Sequence, residues 1–373
     1  MPNATSTLTI IGIDIYPFDI PMHKPFTIAT MSTSVSPNML VRIRTDEPDL
    51  YGWGEASPLH SITGETQAIC ISAAREIAPL MIGKNPLEIA SLSLQMDRFL
   101  PRNTTTKSAF DIALYDIAAK AAGLPLYRFL GGSNVPMETD MTIGIGDPSA
   151  AGAEALSLLE MGFRTIKVKL GTTGKEDYAR LHNIRQAVGP DIQLRIDANQ
   201  AWDRSAAILA LRAFEQFDIQ FCEQPLRAFD VAGLAEVGRT TSIPIMADEA
   251  LFSPADAIRL CAENAAPYFN IKLAKSGGIH PALQISAIAQ ATNRPCMVGC
   301  MLESRLGLTA SAHLAAACPM ARYYDIDSCF EHSVDLIQGG IQIQNGMITL
   351  PDEPGIGAEP TAEALTNLTR VEI

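Results

Sequence analysis

Apolar and polar residues alternate from 8 to 20 (LTIIGIDIYPFDI) and from 38 to 45 (NMLVRIRT), and after an acidic turn the run 51–55 (YGWGE) continues the pattern. A period of two sends successive side chains to opposite faces, so these runs predict a three-stranded antiparallel meander. Residues 65–82, 86–100 and 105–122 switch to helical spacing and stop at Gly83, Pro101 and Gly123, residue types that terminate helices. Residues 1–130 are therefore expected to form an α+β domain that ends near Gly131-Gly132.

From Glu138 the pattern becomes a regular alternation of short apolar runs and helical stretches. The runs are TDMTIGI, TIKVKL, IQLRIDA, IQFCEQ, IPIMADE, YFNIKLA, PCMVGC and YYDID, eight in all. Strands that alternate with helices predict a parallel sheet with crossover connections, here an α/β fold with a (β/α)8-type barrel over residues 131–327. Residues 328–373 are rich in Gly and Pro, with short alternating runs in place of an eighth helix. That tail is expected to return to the N-terminal domain, which would cap the barrel.

Six polar residues stand at the ends of these runs: Lys169, Asp197, Glu223, Asp248, Lys272 and Asp325. The first five are 28, 26, 25 and 24 positions apart and the last two 53, about twice the period. One strand, one helix and two short loops take about 25 residues. Side chains at the C-terminal ends of barrel strands converge on one mouth, where this architecture keeps its chemistry. Three carboxylates flanked by lysines are thus expected to share one site.

Asp197, Glu223 and Asp248 come from successive strands in the contexts IDANQ, CEQP and ADEA. Brought together they would repel and raise one another's pKa unless a hard divalent cation lay among them, and Mg²⁺ with positions open to substrate is the expected occupant. Any one of them could instead cap a helix, an explanation that weakens for three at matched positions. Lys167 and Lys169 point to one side of their strand, and a barrel strand offers them only the interior or the mouth. Lys272 arrives from the far side. Lysines beside one another and beside a metal are expected to have lowered pKa values, which makes a neutral base accessible. A lysine on each face of a pocket can take a proton from one face of a carbon and return it to the other. Where that carbon adjoins a carboxylate the charge flows into an enediolate, which a metal and an ammonium group stabilise.

Composition narrows the partners. The 28 basic and 41 acidic residues give a net charge of −13 and a pI near 4.9, which argues against nucleic acid or an anionic membrane and favours a small-molecule substrate. No apolar run reaches the roughly 18 residues of a spanning helix, and Met1–Ser6 lacks a basic region, so a cytoplasmic location is expected and a homo-oligomer is left open. The seven cysteines (Cys70, Cys222, Cys261, Cys296, Cys300, Cys318, Cys329) are scattered and odd in number, as reduced core thiols would be. Cys296 and Cys300 have no partnering Cys/His pair, so no zinc site is expected.

Over nearly its full length the chain resembles the muconate-lactonizing subgroup of the enolase superfamily. The matching motifs are Lys-x-Lys at 167/169, Asp-Ala-Asn at 197–199, Glu-Gln-Pro at 223–225, Ala-Asp-Glu at 247–249 and Asn-Ile-Lys at 270–272. The resemblance implies Asp197, Glu223 and Asp248 as metal ligands and Lys169 and Lys272 as the acid/base pair. It also implies Lys167 as a helper at the substrate carboxylate and Asn199 as a contact just beyond the metal. Asp325-Ile326-Asp327 looks like the Asp-x-Asp that dipeptide epimerases of this family set against the α-ammonium of a dipeptide. The segment 297–304 (MVGCMLES) is similar to theirs as well, implying substrate contacts at Cys300 and Leu302, and Thr142 matches a substrate-contacting threonine.

The function implied is an isomerase, a Mg²⁺-dependent dipeptide epimerase acting on the C-terminal residue, with L-Ala-D/L-Glu of murein peptide as a substrate. In relatives acting on L-alanyl-glutamate an arginine often lies in the loop His23–Pro37; here Thr30 and Met31 stand there. Lys24 or His23 would have to replace that cation, or the pocket prefers small or apolar residues. Other readings are an o-succinylbenzoate synthase-like dehydratase, an N-acylamino acid racemase, a cycloisomerase, or a silent metal-binding barrel. Asp325 and Asp327 count against the dehydratase and the cycloisomerase, which have no ammonium to hold. Structural ion pairs with Arg305 or Arg322 are the alternative reading of those two aspartates.

Overall fold

The computed structural model describes residues 8–372; Met1–Ser6 lies outside them. Strands β1 (Ile10–Ile28), β2 (Met31–Thr45) and β3 (Tyr51–Ala56) form the antiparallel meander in the order β1-β2-β3. The alternation seen in sequence marks only its inner part. Pairing runs on, with Phe26 opposite Thr33 and Ile28 opposite Met31, so His23–Pro37 is a two-stranded ribbon turning at Ala29-Thr30 and not a loop. Partly exposed ribbon positions such as Thr27 and Ser32 carry no amphipathic period, which is why the sequence pattern stops short of them.

Helices α1 (His60–Thr63), α2 (Gln67–Met81), α3 (Ile89–Phe99), α4 (Thr104–Ala121) and α5 (Leu126–Phe129) complete this unit. Helix α4 is buried from Thr105 to Ala119, and β3 lies directly against it. A Cβ on Gly54 would stand 1.9 Å from Ala109 O, so glycine there is what admits the helix.

After β4 (Met137–Glu138) come eight parallel strands: β5 (Met141–Ile143), β6 (Thr165–Lys169), β7 (Gln193–Asp197), β8 (Ile219–Glu223), β9 (Ile245–Ala247), β10 (Tyr268–Ile271), β11 (Cys296–Gly299) and β12 (Ala321–Asp325). They neighbour one another in chain order. Hydrogen bonds from Asp140 N to Tyr324 O (3.1 Å) and from Ile326 N to Thr139 Oγ1 (2.9 Å) draw the first and last strands together. The crossover helices are α6 (Ala151–Glu160), α7 (Gly174–Val188), α8 (Arg204–Phe214), α9 (Val231–Thr240), α10 (Pro254–Ala262), α11 (Leu273–Ser276) with α12 (Ile279–Ala291), and α13 (Arg305–Ala317). Local signals start them: Thr173 and Glu176 form a capping box on α7, and Ser253 caps α10 with Pro254 in its first turn.

After β12 comes one short 3-10 turn (Ser328–Phe330) where an eighth crossover α-helix would stand. The chain continues through β13 (Ile337–Gly339), β14 (Gln342–Gln344), β15 (Met347–Thr349), β16 (Ala358–Pro360) and α14 (Ala362–Asn367). Strand β13 pairs with β16, while the β14–β15 hairpin adds to β4. Val371 bridges Ile15 of β1, Met22 bridges His332, and Tyr51 of β3 donates to Glu359 Oε2 (3.0 Å), so the tail touches the meander along its length. Among the described residues no helix is long and apolar enough to cross a membrane.

Buried carboxylates join the meander unit to the barrel by meeting helix N-termini, where unpaired N–H groups and the helix dipole favour negative charge. Asp111 of α4 accepts from His280 N (3.2 Å) and from Ile279 N at the start of α12. Glu55 of β3 accepts from Ser304 N (2.9 Å), Ser304 Oγ (2.6 Å) and Gly307 N (2.9 Å) at the start of α13. The same contact fixes the chain just after β11, which lines the mouth.

His313 of α13 ties α5 to the tail. Its Nδ1 accepts from Tyr127 N (3.1 Å), its Nε2 lies 3.0 Å from Ile356 O, and its ring stacks on Tyr127. Burial pushes its pKa down to about 4. Between that value and the usual 6.5 the unfolded chain takes up a proton that the native ring refuses, so stability falls as pH falls through this window. Relative to His313→Gln, the wild type should lose roughly 3 kcal/mol between pH 7 and pH 4, measured by denaturant unfolding at each pH.

Candidate active site

Alternation along the barrel strands sets two interior layers. The lower is apolar, with Phe221, Met246 and Met297 packed together with Tyr268 and Tyr323. Arg195 lies over the Phe221 and Tyr323 rings at 5.4 and 5.0 Å and pairs with Asp140 at 2.7 Å. One strand period above stand Lys169, Asp197, Glu223, Asp248 and Asp325, and Lys272, two periods beyond Tyr268, joins them through Asp248 and Glu223, so the sequence spacing does bring the six together. All are at most 6% exposed.

Lys169 Nζ stands 2.7 Å from Asp197 Oδ2. Lys167 Nζ bridges Asp325 Oδ2 (2.7 Å), Glu223 Oε2 (2.8 Å) and Asp197 Oδ2 (3.4 Å). Lys272 Nζ meets Asp248 Oδ2 at 3.0 Å and Glu223 Oε1 at 3.8 Å. Strands β6 and β10 lie four places apart in a sheet of eight, so Lys169 and Lys272 face each other across the mouth. Both line the same narrow cleft, of about 40 Å³.

At Lys167 and Lys272 the surrounding carboxylates outweigh burial. Burial works to lower Lys167, yet Asp325, Glu223 and Asp197 together hold it well above its usual range. Lys272 is raised in the same way by Asp248 and Glu223 against burial. Burial, with Asp197 beside it, pushes Glu223 up to about 7. For Asp325 burial is outweighed by Lys167, Lys272 and Lys169, which hold it down at about 2. Burial, and then the Asp325 charge, push Asp327 up to about 6.

Asp327 Oδ2 accepts from Thr142 N (2.8 Å), and the Cys300 thiol lies 3.6 Å from Asp327 Oδ1. The alternative arginine pairings of the two aspartates are not formed. Arg305 holds Asp335, and Arg322 bonds to the main-chain oxygens of Pro319 and Ala321. Leu302 turns its main chain to the meander, its O accepting from Asn38 Nδ2 (2.9 Å) and its N donating to Ser57 Oγ (3.2 Å). Asn199 meets Glu249, whose Oε1 it reaches at 3.3 Å. Lys24 does not point into the cleft as a free cation: it is exposed and paired with Glu154, and His23 is exposed too.

Several buried residues here carry no sequence signal of their own. Gln224, at φ +35°, accepts through Oε1 from Asp248 N (3.0 Å) and Ala250 N (3.1 Å), fixing the turn that carries Asp248. Its place in Glu-Gln-Pro is the only hint. Lys275 donates to Asp248 O (2.7 Å) and Asn270 O (3.0 Å) and pairs with the Asp248 carboxylate. Asn270 Nδ2 donates to Glu223 Oε1 (2.7 Å). A Cβ on Gly299 would stand 2.7 Å from Asn270 Oδ1 and 3.1 Å from Lys272 Cε. Gly299→Ala should therefore displace both side chains and cut turnover about 10-fold with little change in the melting temperature, read by steady-state kinetics beside a thermal melt.

Six buried carboxyl groups (Asp197, Glu223, Asp248, Glu249, Asp325, Asp327) lie among four ammonium groups (Lys167, Lys169, Lys272, Lys275). With all ionised, six minus four leaves two positive charges lacking, the charge of one divalent cation, and buried charges need compensation. Glu223 Oε2 and Asp248 Oδ1 take no hydrogen bond, their contacts being ammonium ions. Oxygen donors from three adjacent strand ends suit a hard cation such as Mg²⁺. Among the described residues, the set whose potential ligand atoms all lie within 4.8 Å of one another is Cys300, Asp325 and Asp327. Among the other three carboxylates, Lys167 joins Asp197 to Glu223 and Lys272 joins Glu223 to Asp248.

Two sequence families match the chain. "Mandelate racemase / muconate lactonizing enzyme, N-terminal domain" covers residues 10–131, and "Enolase C-terminal domain-like" covers 150–364. The D-Ala-D/L-Ala epimerase of Cytophaga hutchinsonii is 39% identical over 366 residues, 98% of this chain and 99% of that protein. The L-Ala-D/L-Glu epimerase of Clostridium acetobutylicum is 38% identical over 94% of this chain and 99% of its own. A crystal structure of the dipeptide epimerase from Cytophaga hutchinsonii with Mg and D-Ala-L-Val superposes with a TM-score of 0.96 at 39% identity, covering 97% of this chain and 99% of that one.

Proposed function

The chain belongs to the mandelate racemase / muconate lactonizing enzyme family of the enolase superfamily, and from that premise we propose that it is a Mg²⁺-dependent dipeptide epimerase. The observation that carries this reading is the pair of opposed lysines, Lys169 and Lys272, over a carboxylate floor, with Asp325 and Asp327 at one side. Asp197, Glu223 and Asp248 would hold the metal. When bound, it would offset negative charge developing on the substrate carboxylate.

In this reading the substrate's α-carbon sits between the two ammonium groups. One lysine in its neutral form takes the α-proton from its own face, and the other, protonated, delivers a proton to the opposite face. The reaction is a 1,1-proton transfer, and either lysine serves as base depending on the epimer that enters. Lys167, held by Asp325 and Glu223, adds positive charge beside the carboxylate as it takes on enediolate character. Asp327 accepts the dipeptide's α-ammonium; its Oδ1 lies 3.6 Å from the Cys300 thiol. Cys300 and Leu302 form a wall, and Thr142 orients Asp327 through its N–H.

A finer reading names L-Ala-D/L-Glu of murein peptide as the substrate. It requires a cation for the glutamate side chain, and Lys24, the meander-side candidate, is engaged by Glu154. The reaction itself is tested by incubating single-epimer dipeptides with Mg²⁺ or with EDTA and separating the epimers by chiral chromatography. Interconversion that EDTA abolishes and Mg²⁺ restores is the expected result. Interconversion unaffected by EDTA, or none with any dipeptide, would contradict the reading.

A further inference from the structure

The two walls of the cleft differ in kind. Its charged lining residues, Lys167, Lys169, Asp248, Lys272, Asp325 and Asp327, all sit at the ends of barrel strands. The opposite wall is made by Phe26 and Ile28 of the β1–β2 ribbon, by Leu59 and Ile62 at α1, and by Met301 after β11. Ile28, Leu59 and Met301 belong to one buried apolar cluster with Met22 and Leu302, against which Phe26, Met31 and Ile62 pack. No charged side chain lines this wall.

Stereochemistry assigns that wall a task. When the α-carbon is planar during proton transfer, its three remaining substituents lie in one plane with the two lysines on either side. The carboxylate points to the metal ligands, and the amide nitrogen leads toward Asp325 and Asp327. The side chain takes the third in-plane direction, away from both, where the lining is apolar. Resting on the dipeptide-epimerase reading above, we infer that the enzyme selects dipeptides whose epimerised residue has an uncharged, apolar side chain, and that Phe26, Ile28, Leu59, Ile62 and Met301 read it.

The charges nearest this wall support the selection. Lys24 is exposed and consumed by Glu154, and Glu331 is buried facing Asp327 and Lys24, so a glutamate side chain would meet further acids and no free cation. A carboxylate or ammonium ion buried against this wall would lose its hydration with no partner to replace it. An aliphatic side chain gains by leaving water, in steps of about one order of magnitude per methylene or two.

The test is kcat/KM of the Mg²⁺-loaded wild-type enzyme on L-Ala joined to Ala, Val, Leu, Glu or Lys. Val and Leu are expected to exceed Glu and Lys by about 100-fold or more. Glu or Lys turned over as fast as Leu would overturn the inference and leave the epimerase reading intact. No turnover of any dipeptide would overturn both. In a second arm, Ile62→Arg should raise the Ala-Glu to Ala-Leu ratio about 10-fold; an unmoved ratio in a variant that melts like wild type would show that this wall does not read the side chain.

Discussion

Lys169→Ala and Lys272→Ala should each reduce epimerisation about 10⁴-fold, the upper end of what one positioned acid/base group supplies. Both variants lose the same reaction for different reasons, because each removes the proton donor or acceptor on one face only. The remaining lysine still addresses its own face, so each variant should retain exchange of the α-proton of one epimer, and the two should favour opposite epimers. A mixture of the two variants should not restore epimerisation, since both lysines must act on the same bound molecule. Folding is not the confounding factor. Asp197 keeps Lys167 at 3.4 Å when Lys169 is removed, and Asp248 keeps Lys275 when Lys272 is removed. Normal turnover by either variant would contradict the two-lysine account.

Asp327→Asn is expected to act on substrate recognition. Its amide oxygen can still accept from Thr142 N, where Asp327 Oδ2 now does at 2.8 Å, so the local main chain is retained. What disappears is the negative charge facing the dipeptide ammonium. Removing one partner of a buried charge pair costs about 2–5 kcal/mol, which corresponds to a rise in KM of roughly 30-fold or more. An N-acylated amino acid, which has no ammonium, should be affected far less, and Mg²⁺ binding should be unchanged. Equal losses for both substrates would remove Asp327 from the role assigned to it. Asp325→Asn is a less selective probe because Asp325 also holds Lys167 at 2.7 Å.

The barrel was legible in the sequence because fully buried parallel strands read as short apolar runs, and the strand-helix period of about 25 residues put a chemically active side chain at six of the eight strand ends. The same period brought Lys169, Asp197, Glu223, Asp248 and Lys272 into one layer without reference to any long-range contact. The ribbon at 23–37 was harder to read: buried positions such as Ile28 and Ser36 are too sparse along it to impose alternation, and its ladder shows only when both strands are paired. Gln224, Asn270, Lys275 and Gly299 were missed because their work is to hold other side chains. Gly299 matters through the 2.7 Å approach of Asn270, which no linear pattern encodes. A related effect governs Lys167 and Lys272: burial alone would lower their pKa values, but the carboxylates that converge on each one outweigh burial.

In the reading inferred above, the substrate side chain is read by the least periodic part of the chain. Beside that wall Thr30 and Met31 sit at the ribbon turn, Thr30 bonded to Ser61 and Met31 packed against the apolar cluster. Sequence alone left open whether Lys24 supplies a cation to the cleft. Its pairing with Glu154 links the ribbon to α6 and takes it out of the cleft.

The central claim is that two lysines on opposite faces exchange one α-proton of a metal-bound dipeptide. Mass spectrometry of L-Ala-L-Leu incubated in D₂O with the Mg²⁺-loaded enzyme tests it most directly. The account predicts one deuterium at the α-carbon of the C-terminal residue in the newly formed epimer from the earliest time points, and none at the alanine α-carbon. Epimer formation without deuterium, or label entering the alanine residue, would contradict it.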